Sequence, residues 1–361
     1  MSTPAQASFA LIGSGWRSRF FLRLARSAPE RFAVSGVVTR SVERGAEVAA
    51  TWQVPTFSSI ADLLTDHRPL FVIPCVPWAA TGPTTIELAR AGIPVLAETP
   101  PAADLAGLTA LWDAVGSTGL VQVAEQYLRM PGHAARLDLV RRGLIGPVSS
   151  VQVSSTHLYH AVSMIRGLLG VAPGPVEVAA RSFTAPLANP LDPDGWTGSA
   201  EPERLSTTLA TLDFGADRMG LYDFTDNQWW NPLRSRRIVI RGALGEIADD
   251  HLVRLADPRT PVESTLVRRL SGLDLNLEGL EVQQLSFDGE VLWRNQFLGS
   301  RFSEDDLAVA GLLAEMVAWC RDAGPEPYPL AQGCEDHQIG LAIGESIARG
   351  TAVTTGAAPW H

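Results

Sequence analysis

Two histidines and a tyrosine, His157, Tyr159 and His160, fall close together in this sequence. An imidazole exchanges its proton near neutral pH. It can take one from a carbinol as hydride leaves, or give one to a carbonyl as hydride arrives. On a helix or its first turn, His157 and His160 would be near neighbours able to share that work. Earlier in the chain, Gly13-Ser14-Gly15-Trp16-Arg17-Ser18 carries G-x-G-x-x-G spacing, with Ser18 in place of the third glycine. In such a turn the first glycine makes the bend and the second lets backbone approach a pyrophosphate at a helix N-terminus. The third keeps helix and strand close, and serine is small enough for that. About 20 residues on, a carboxylate would bind the adenosine ribose. Thr39-Arg40-Ser41 stands there instead, and a hydroxyl with a guanidinium suits a 2′-phosphate better, favouring NADP over NAD.

What is missing narrows the chemistry further. All 29 Lys+Arg residues are arginine, so Schiff-base chemistry, a P-loop lysine and a lysine acid are excluded. Cys75, Cys320 and Cys334 are too scattered for a disulfide framework or a zinc pattern, and no metal site is expected. A net charge of −10 argues against nucleic acid or an anionic membrane as partner. The start (1–10) shows no signal peptide and the longest apolar stretch (69–80) is too short to span a bilayer, so a soluble cytoplasmic protein is expected.

Positioning these residues takes two kinds of architecture. Apolar runs at 8–12, 32–38, 70–76, 94–97 and 119–124 alternate with helical patterns at 17–27, 42–52, 82–91 and 105–115, with a further helical turn at 60–64. That alternation predicts an α/β Rossmann domain, a doubly wound parallel sheet, over residues 1–128. After a helix at 132–142 the pattern turns to strands, at 148–156, 176–184, 206–214, 219–225, 237–241, 280–287 and 290–294. Their alternation predicts a large, mostly antiparallel open sheet in an α+β domain, residues 129–330. Helices at 304–321 and 333–349 follow, and residues 331–361 should pack back toward the Rossmann domain. The segment 185–204, rich in Pro, Gly, Asp and Asn, reads as a mobile loop.

Ile93-Pro94-Val95-Leu96-Ala97-Glu98-Thr99-Pro100 follows a helix ending Ala89-Arg90-Ala91-Gly92. It resembles the A-G-K-H-V-x-x-E-K-P stretch of the glucose-fructose oxidoreductase / inositol dehydrogenase / rhizopine-catabolism (Gfo/Idh/MocA) family. The resemblance continues through Pro131, Gly143-Leu144-Ile145-Gly146 and the closing helix, where Ala342, Glu345-Ser346 and Gly350 match. It implies hydride transfer between NAD(P) and a sugar, polyol or related small hydroxy or carbonyl compound held over the antiparallel sheet. It also implies a homodimer or homotetramer formed through that sheet.

Residue by residue, the resemblance places Gly13, Ser14, Gly15, Trp16 and Arg17 at the pyrophosphate and Thr39 and Arg40 at the adenosine end. Pro77 and Trp78 would sit near the cofactor, with Glu98 and Thr99 on the nicotinamide side. Thr99 occupies the family's lysine position and Thr156 its aspartate position, while His160 keeps the histidine. His160 is thus the expected acid/base, with Tyr159 and His157 as helpers. Glu125-Gln126-Tyr127 lies where relatives carry an amide or aromatic residue beside the nicotinamide, so Gln126 is assigned to cofactor and Tyr127 to substrate. A domain-linker turn is the other reading of this triplet. His133 reads as a helix-end residue that could instead face the cleft. In the segment 223–237, Asp226, Gln228, Trp229, Trp230 and Arg234 offer ring faces and hydrogen bonds to a sugar, or alternatively a subunit contact. The departures from the family's catalytic set leave two other functions in view. One is a non-catalytic dinucleotide-binding sensor or scaffold; the other is an NAD-dependent glycosidase or lyase with transient oxidation.

Overall fold

The computed structural model describes residues 6–192, 194–273 and 279–361. Residues 1–5 of the N-terminal stretch and Pro193 of the segment 185–204 lie outside the described residues.

The first unit runs β1 (Ala7–Ile12), α1 (Trp16–Ser27), β2 (Phe32–Val38), α2 (Val42–Trp52), β3 (Thr56–Phe57), α3 (Ile60–Asp66), β4 (Val72–Pro74), α4 (Trp78–Arg90), β5 (Val95–Ala97), α5 (Leu105–Val115) and β6 (Val121–Val123). Its strands form one parallel sheet in the order β3-β2-β1-β4-β5-β6. This is the Rossmann order, with strand order reversing between β1 and β4. Alternate side chains of β1 enter separate cores, as period-two geometry requires. Phe9 and Leu11 join Phe21, Leu24 and Phe71 on one face, while Ala10 and Ile12 join Val72, Leu88 and Leu108 on the other. A strand covered on both faces reads as a continuous apolar run, which is why β1 was visible in the sequence. The two-residue β3 was too short to show.

The second unit adds α6 (Pro131–Arg141), β7 (Val148–Ser154), α7 (Leu158–Leu169), β8 (Glu177–Ala188), β9 (Leu191–Asp192), β10 (Gly195–Trp196), β11 (Pro202–Asp213), β12 (Met219–Thr225), β13 (Arg237–Gly242), β14 (Gly245–Ala248), β15 (His251–Asp257), β16 (Thr260–Thr265), β17 (Val267–Leu270), β18 (Val282–Phe287) and β19 (Glu290–Arg294). Then come α8 (Glu304–Cys320), α9 (Leu330–Arg349) and β20 (Val353–Thr354). A nine-stranded sheet, β16-β15-β14-β13-β7-β12-β11-β8-β20, is antiparallel except for the β7–β12 pair. One face buries Val151, Val153, Tyr222 and Ile240 against Met164, Ile165 and Leu168 of α7 and Ile339 and Ile343 of α9. On the other face Phe183 and Leu209 stay exposed.

Three features differ from the sequence reading. Strands β14 to β17 were not expected, because three of the four are only four to six residues long; β14 and β15 carry buried Ile247 and Leu252, and β17 joins a separate sheet with β18 and β19. The segment 185–204 is in large part strand: β8 and β11 pair as far as Pro202 with Ala188. Ladder pairing, which the local Pro and Gly content does not reveal, carries the ribbon out. Finally, α8 follows the second sheet in sequence but packs on the first. Its Leu307, Leu312, Leu313 and Met316 share a core with Phe9 and Phe21. Helix α9 bridges the units, sending Leu330 and Cys334 into the first and Ile339 into the second.

Candidate active site

The turn after β1 is built around Gly13. Its φ of +105° is open to glycine, and an added Cβ would lie 2.4 Å from the Cys75 carbonyl oxygen. The Gly13 amide donates to Val38 O at 2.8 Å, and the buried Ser18 hydroxyl donates to Gly13 O at 2.8 Å. Ser18 therefore fits the third-glycine position and also pins the turn. Gly15 is the N-cap of α1 and offers no side-chain cap, which leaves the amides of the first turn available to an anion. A cleft of about 720 Å³ opens there, lined by Gly13 to Arg17, Thr39, Arg40, Arg44, Pro77, Trp78, Glu98 and Thr99. The backbone permissiveness at Gly13, the uncapped helix and the open Gly15 fit a dinucleotide pyrophosphate.

Within this cleft, Trp16 and Trp78 are 70% and 60% exposed at the first turns of α1 and α4. Arg40 is exposed and makes no hydrogen bond or ion pair among the described residues. Thr39 is buried, its hydroxyl donating to Ser41 O at 3.1 Å. Arg44, which the sequence reading passed over, spans the cleft edge. It donates to Ser14 Oγ at 3.2 Å and Ser14 O at 3.0 Å, and pairs with Glu47 at 2.6 Å. Its signal was its place on the first turn of α2, opposite the glycine turn. Arg17 lines the cleft, but its guanidinium is held by Glu98 at 2.7 Å and lies over the rings of Phe20 and Phe21. Its Nε is spent on Glu98, so Arg17 braces two loops while still lining the cleft.

The second half of the site comes from α7. His160 Nδ1 donates to Glu125 Oε2 at 2.6 Å, and the other oxygen of Glu125 accepts the Tyr127 amide at 3.1 Å. Both Glu125 and His160 are buried. Glu125 follows β6, at the carboxyl edge of the first sheet, so the pair joins the two units there. His160 Nε2 makes no hydrogen bond among the described residues. Tyr159 faces the side chain of Thr99 in polar contact. Burial first, and then the Glu125 charge, push its phenol well above the usual tyrosine range and keep it neutral. Tyr127 stacks at a tilt on His160, centroids 4.6 Å apart, and burial pushes its phenol up to about 12.

His157 caps the start of α7, with its ring 5.1 Å from that of His160 and 4.8 Å from that of Trp229. Burial lowers its pKa to about 3, with the neighbouring His160 adding to the effect. Behind the site, Arg166 meets Asp336 at 2.6 Å and the Tyr328 hydroxyl donates to the same carboxylate. Burial raises Asp336 to about 6 despite these partners.

The remaining candidates separate. Gln126 is buried and donates to Asp305 Oδ1 at 3.3 Å, with its own oxygen unpartnered. His133 accepts from Arg136 at 2.9 Å and belongs to a network with Arg268 and Asp250. The segment after β12 is divided. Gln228 spends its amide on Ser154 O and Ser235 O, both at 2.7 Å, and its oxygen on the Thr225 amide. These bonds make it a strut of the turn, at the edge of a hollow on the open sheet face. Trp229 packs on Phe224 and reaches the His157 ring, and Trp230 stacks beside it. Arg234 lies with Phe183 and Leu209 in a shallow hollow on the open sheet face, and Asp226 is exposed. The turn between β12 and β13 puts Gln228 and Arg234 at one hollow and turns Trp229 toward the His157 ring.

The glycine turn and its cleft define a Rossmann-type nucleotide-binding unit, and a buried carboxylate–imidazole pair lies at the carboxyl edge of the same sheet. Residues 7–126 match the Gfo/Idh/MocA model, described as an oxidoreductase family with an NAD-binding Rossmann fold. No curated protein matches the chain. Solved structures share the whole fold. An oxidoreductase from Agrobacterium radiobacter, in complex with NAD+, L-tartaric acid and magnesium, is 16% identical with a TM-score of 0.69, over 96% of this chain and 98% of that one. A myo-inositol dehydrogenase from Corynebacterium glutamicum is 18% identical, TM-score 0.65, over 98% and 100%. A levoglucosan dehydrogenase, in complex with NADH and levoglucosan, is 18% identical, TM-score 0.70, over 98% and 100%. No described helix is long and apolar enough to cross a membrane.

Proposed function

We propose that this protein transfers hydride between NAD(P) and a sugar, polyol or related small hydroxy or carbonyl compound, with His160 as acid/base. The Glu125–His160 pair carries this reading. It plants an imidazole from the second unit at the carboxyl edge of the sheet whose first turn forms the dinucleotide cleft. Gly13, Ser14, Gly15 and the first turn of α1 would hold the pyrophosphate. Thr39 and Arg40 would hold the adenosine end, and Trp16, Trp78 and Thr99 the rest. A nicotinamide bound there supplies the hydride acceptor or donor. His160 takes the hydroxyl proton of a carbinol at Nε2, or returns it to a carbonyl, and Tyr159 is a neutral phenol able to orient the same oxygen. NADP is the preferred cofactor, because Arg40 is exposed without a partner and Arg44 adds a second cation to the cleft edge. Association into a homodimer or homotetramer through the open sheet is supported by exposed Phe183 and Leu209.

The test is calorimetric titration with NAD+, NADH, NADP+ and NADPH, followed by nicotinamide absorbance with myo-inositol, levoglucosan and a polyol panel. His160→Ala is expected to lower turnover at least ~100-fold with cofactor affinity little changed. Failure to bind any dinucleotide, or full activity in the variant, overturns the reading.

A further inference from the structure

We infer that Glu125 is the positioning residue of this site, fixing the tautomer and orientation of His160 so that Nε2 is the nitrogen that exchanges protons. This rests on the reading of His160 as acid/base. A carboxylate can only accept, so the 2.6 Å contact requires a proton on Nδ1 and leaves Nε2 bare in the neutral ring. The position also needs a counter-charge. His160 sits in the first turn of α7, whose amide dipoles oppose an imidazolium there. The side chain at the family's aspartate position, Thr156, is a buried hydroxyl that carries no charge, and Thr99 replaces the lysine. Among the described residues, Glu125 is the carboxylate bonded to His160.

Glu125 is itself anchored. Its second oxygen takes the Tyr127 amide, and Arg129 donates to its backbone carbonyl at 3.0 Å and to Glu315 at 2.7 Å. Tyr127 closes over the imidazole from the same turn. A carboxylate from the end of β6 thus does the orienting that relatives assign to the helix itself. When a carbinol is oxidised, its O–H proton goes to Nε2, and a bound nicotinamide would accept the C–H hydride. The resulting imidazolium is held by the Glu125 contact at Nδ1. Reduction runs the same transfers backward.

The decisive experiment needs no substrate. Long-range proton–nitrogen NMR of the full chain with ¹⁵N-labelled histidine, His160 assigned by loss of its signal in His160→Gln, reads the tautomer. The expected result is a protonated Nδ1, with its proton shifted downfield, and a bare Nε2; in Glu125→Gln the downfield proton disappears. A protonated Nε2 in the parent protein, or an unchanged His160 signal in Glu125→Gln, overturns the inference. With any polyol the parent protein oxidises, Glu125→Gln should lower kcat about tenfold or more with KM within about twofold, and Glu125→Asp should recover part of the loss. Unchanged kcat would also overturn it. If His160→Ala keeps full turnover, the functional reading itself fails, an outcome distinct from a failed tautomer measurement.

Discussion

Arg17 Nε lies 2.7 Å from Glu98 Oε1, tying the glycine turn after β1 to the loop after β5, 81 positions away in sequence. Both side chains are 14% exposed, and the guanidinium also covers Phe20 and Phe21. The pair sets the spacing between the two loops that floor the dinucleotide cleft. Glu98→Gln leaves a largely buried cation without its counter-charge. Loss of one partner of a fully buried pair costs ~3–5 kcal/mol, and residual solvent access here reduces that to about 2–3 kcal/mol. Chemical denaturation measures it. Glu98→Gln should also weaken dinucleotide binding, and a variant as stable as the parent would show the brace to be idle.

Arg40 governs the choice between cofactors in the functional reading. A charge-assisted bond to a 2′-phosphate is worth ~1.5–3 kcal/mol, so Arg40→Ala should weaken NADPH binding roughly 10- to 100-fold. NADH affinity should barely move. Equal losses for the two nucleotides in calorimetry would assign Arg40 a general electrostatic part instead.

Gln228→Ala separates support from recognition. Removing the amide strands two carbonyls and the Thr225 amide in a buried turn, for a loss of about 3 kcal/mol in stability. Thermal unfolding should report it. If its part is support alone, KM for any accepted substrate should stay within about twofold, and a large KM change without destabilisation would place Gln228 in the substrate site.

Stability should fall on mild acidification. Burial first, then the adjacent Arg136 and Arg268 charges, lower His133 from 6.5 to about 3. Burial lowers His157 to about 3 as well. Both are neutral in the folded chain, whereas the unfolded chain takes up their protons below about pH 6.5. The unfolded state then binds more protons, so stability is complete above that pH and declines toward pH 3, by up to ~1.4 kcal/mol per unit for each group. Melting temperatures between pH 7 and 4.5 should drop less steeply in His133→Gln than in the parent. Parallel slopes would mean that His133 is not the source.

The first sheet was legible because its strands are buried on both faces and its helices are amphipathic. Residues 32–38, 42–52 and 105–115 coincide with β2, α2 and α5. The glycine turn was legible because its chemistry is local: a positive φ and a close backbone approach ask for glycine wherever they occur. His160 stood out by residue type, and Glu125 was seen only as part of a polar triplet.

The sequence by itself determined the alternation of strand and helix, the glycine turn, the absence of any lysine, and the presence of an imidazole near the start of a helix. Each depends on residues a few positions apart. The tertiary structure alone decided the pairings. It gave Glu125 to His160 across 35 positions, turned Arg17 to Glu98, and brought Tyr159 against Thr99. It made Gln228 a strut and folded α8 back onto the first sheet. These outcomes depend on which strand face a side chain occupies and on which charges share a buried volume. Both are set only when sheet register and helix packing close, because a carboxylate excluded from water must find its partner wherever the fold has placed one.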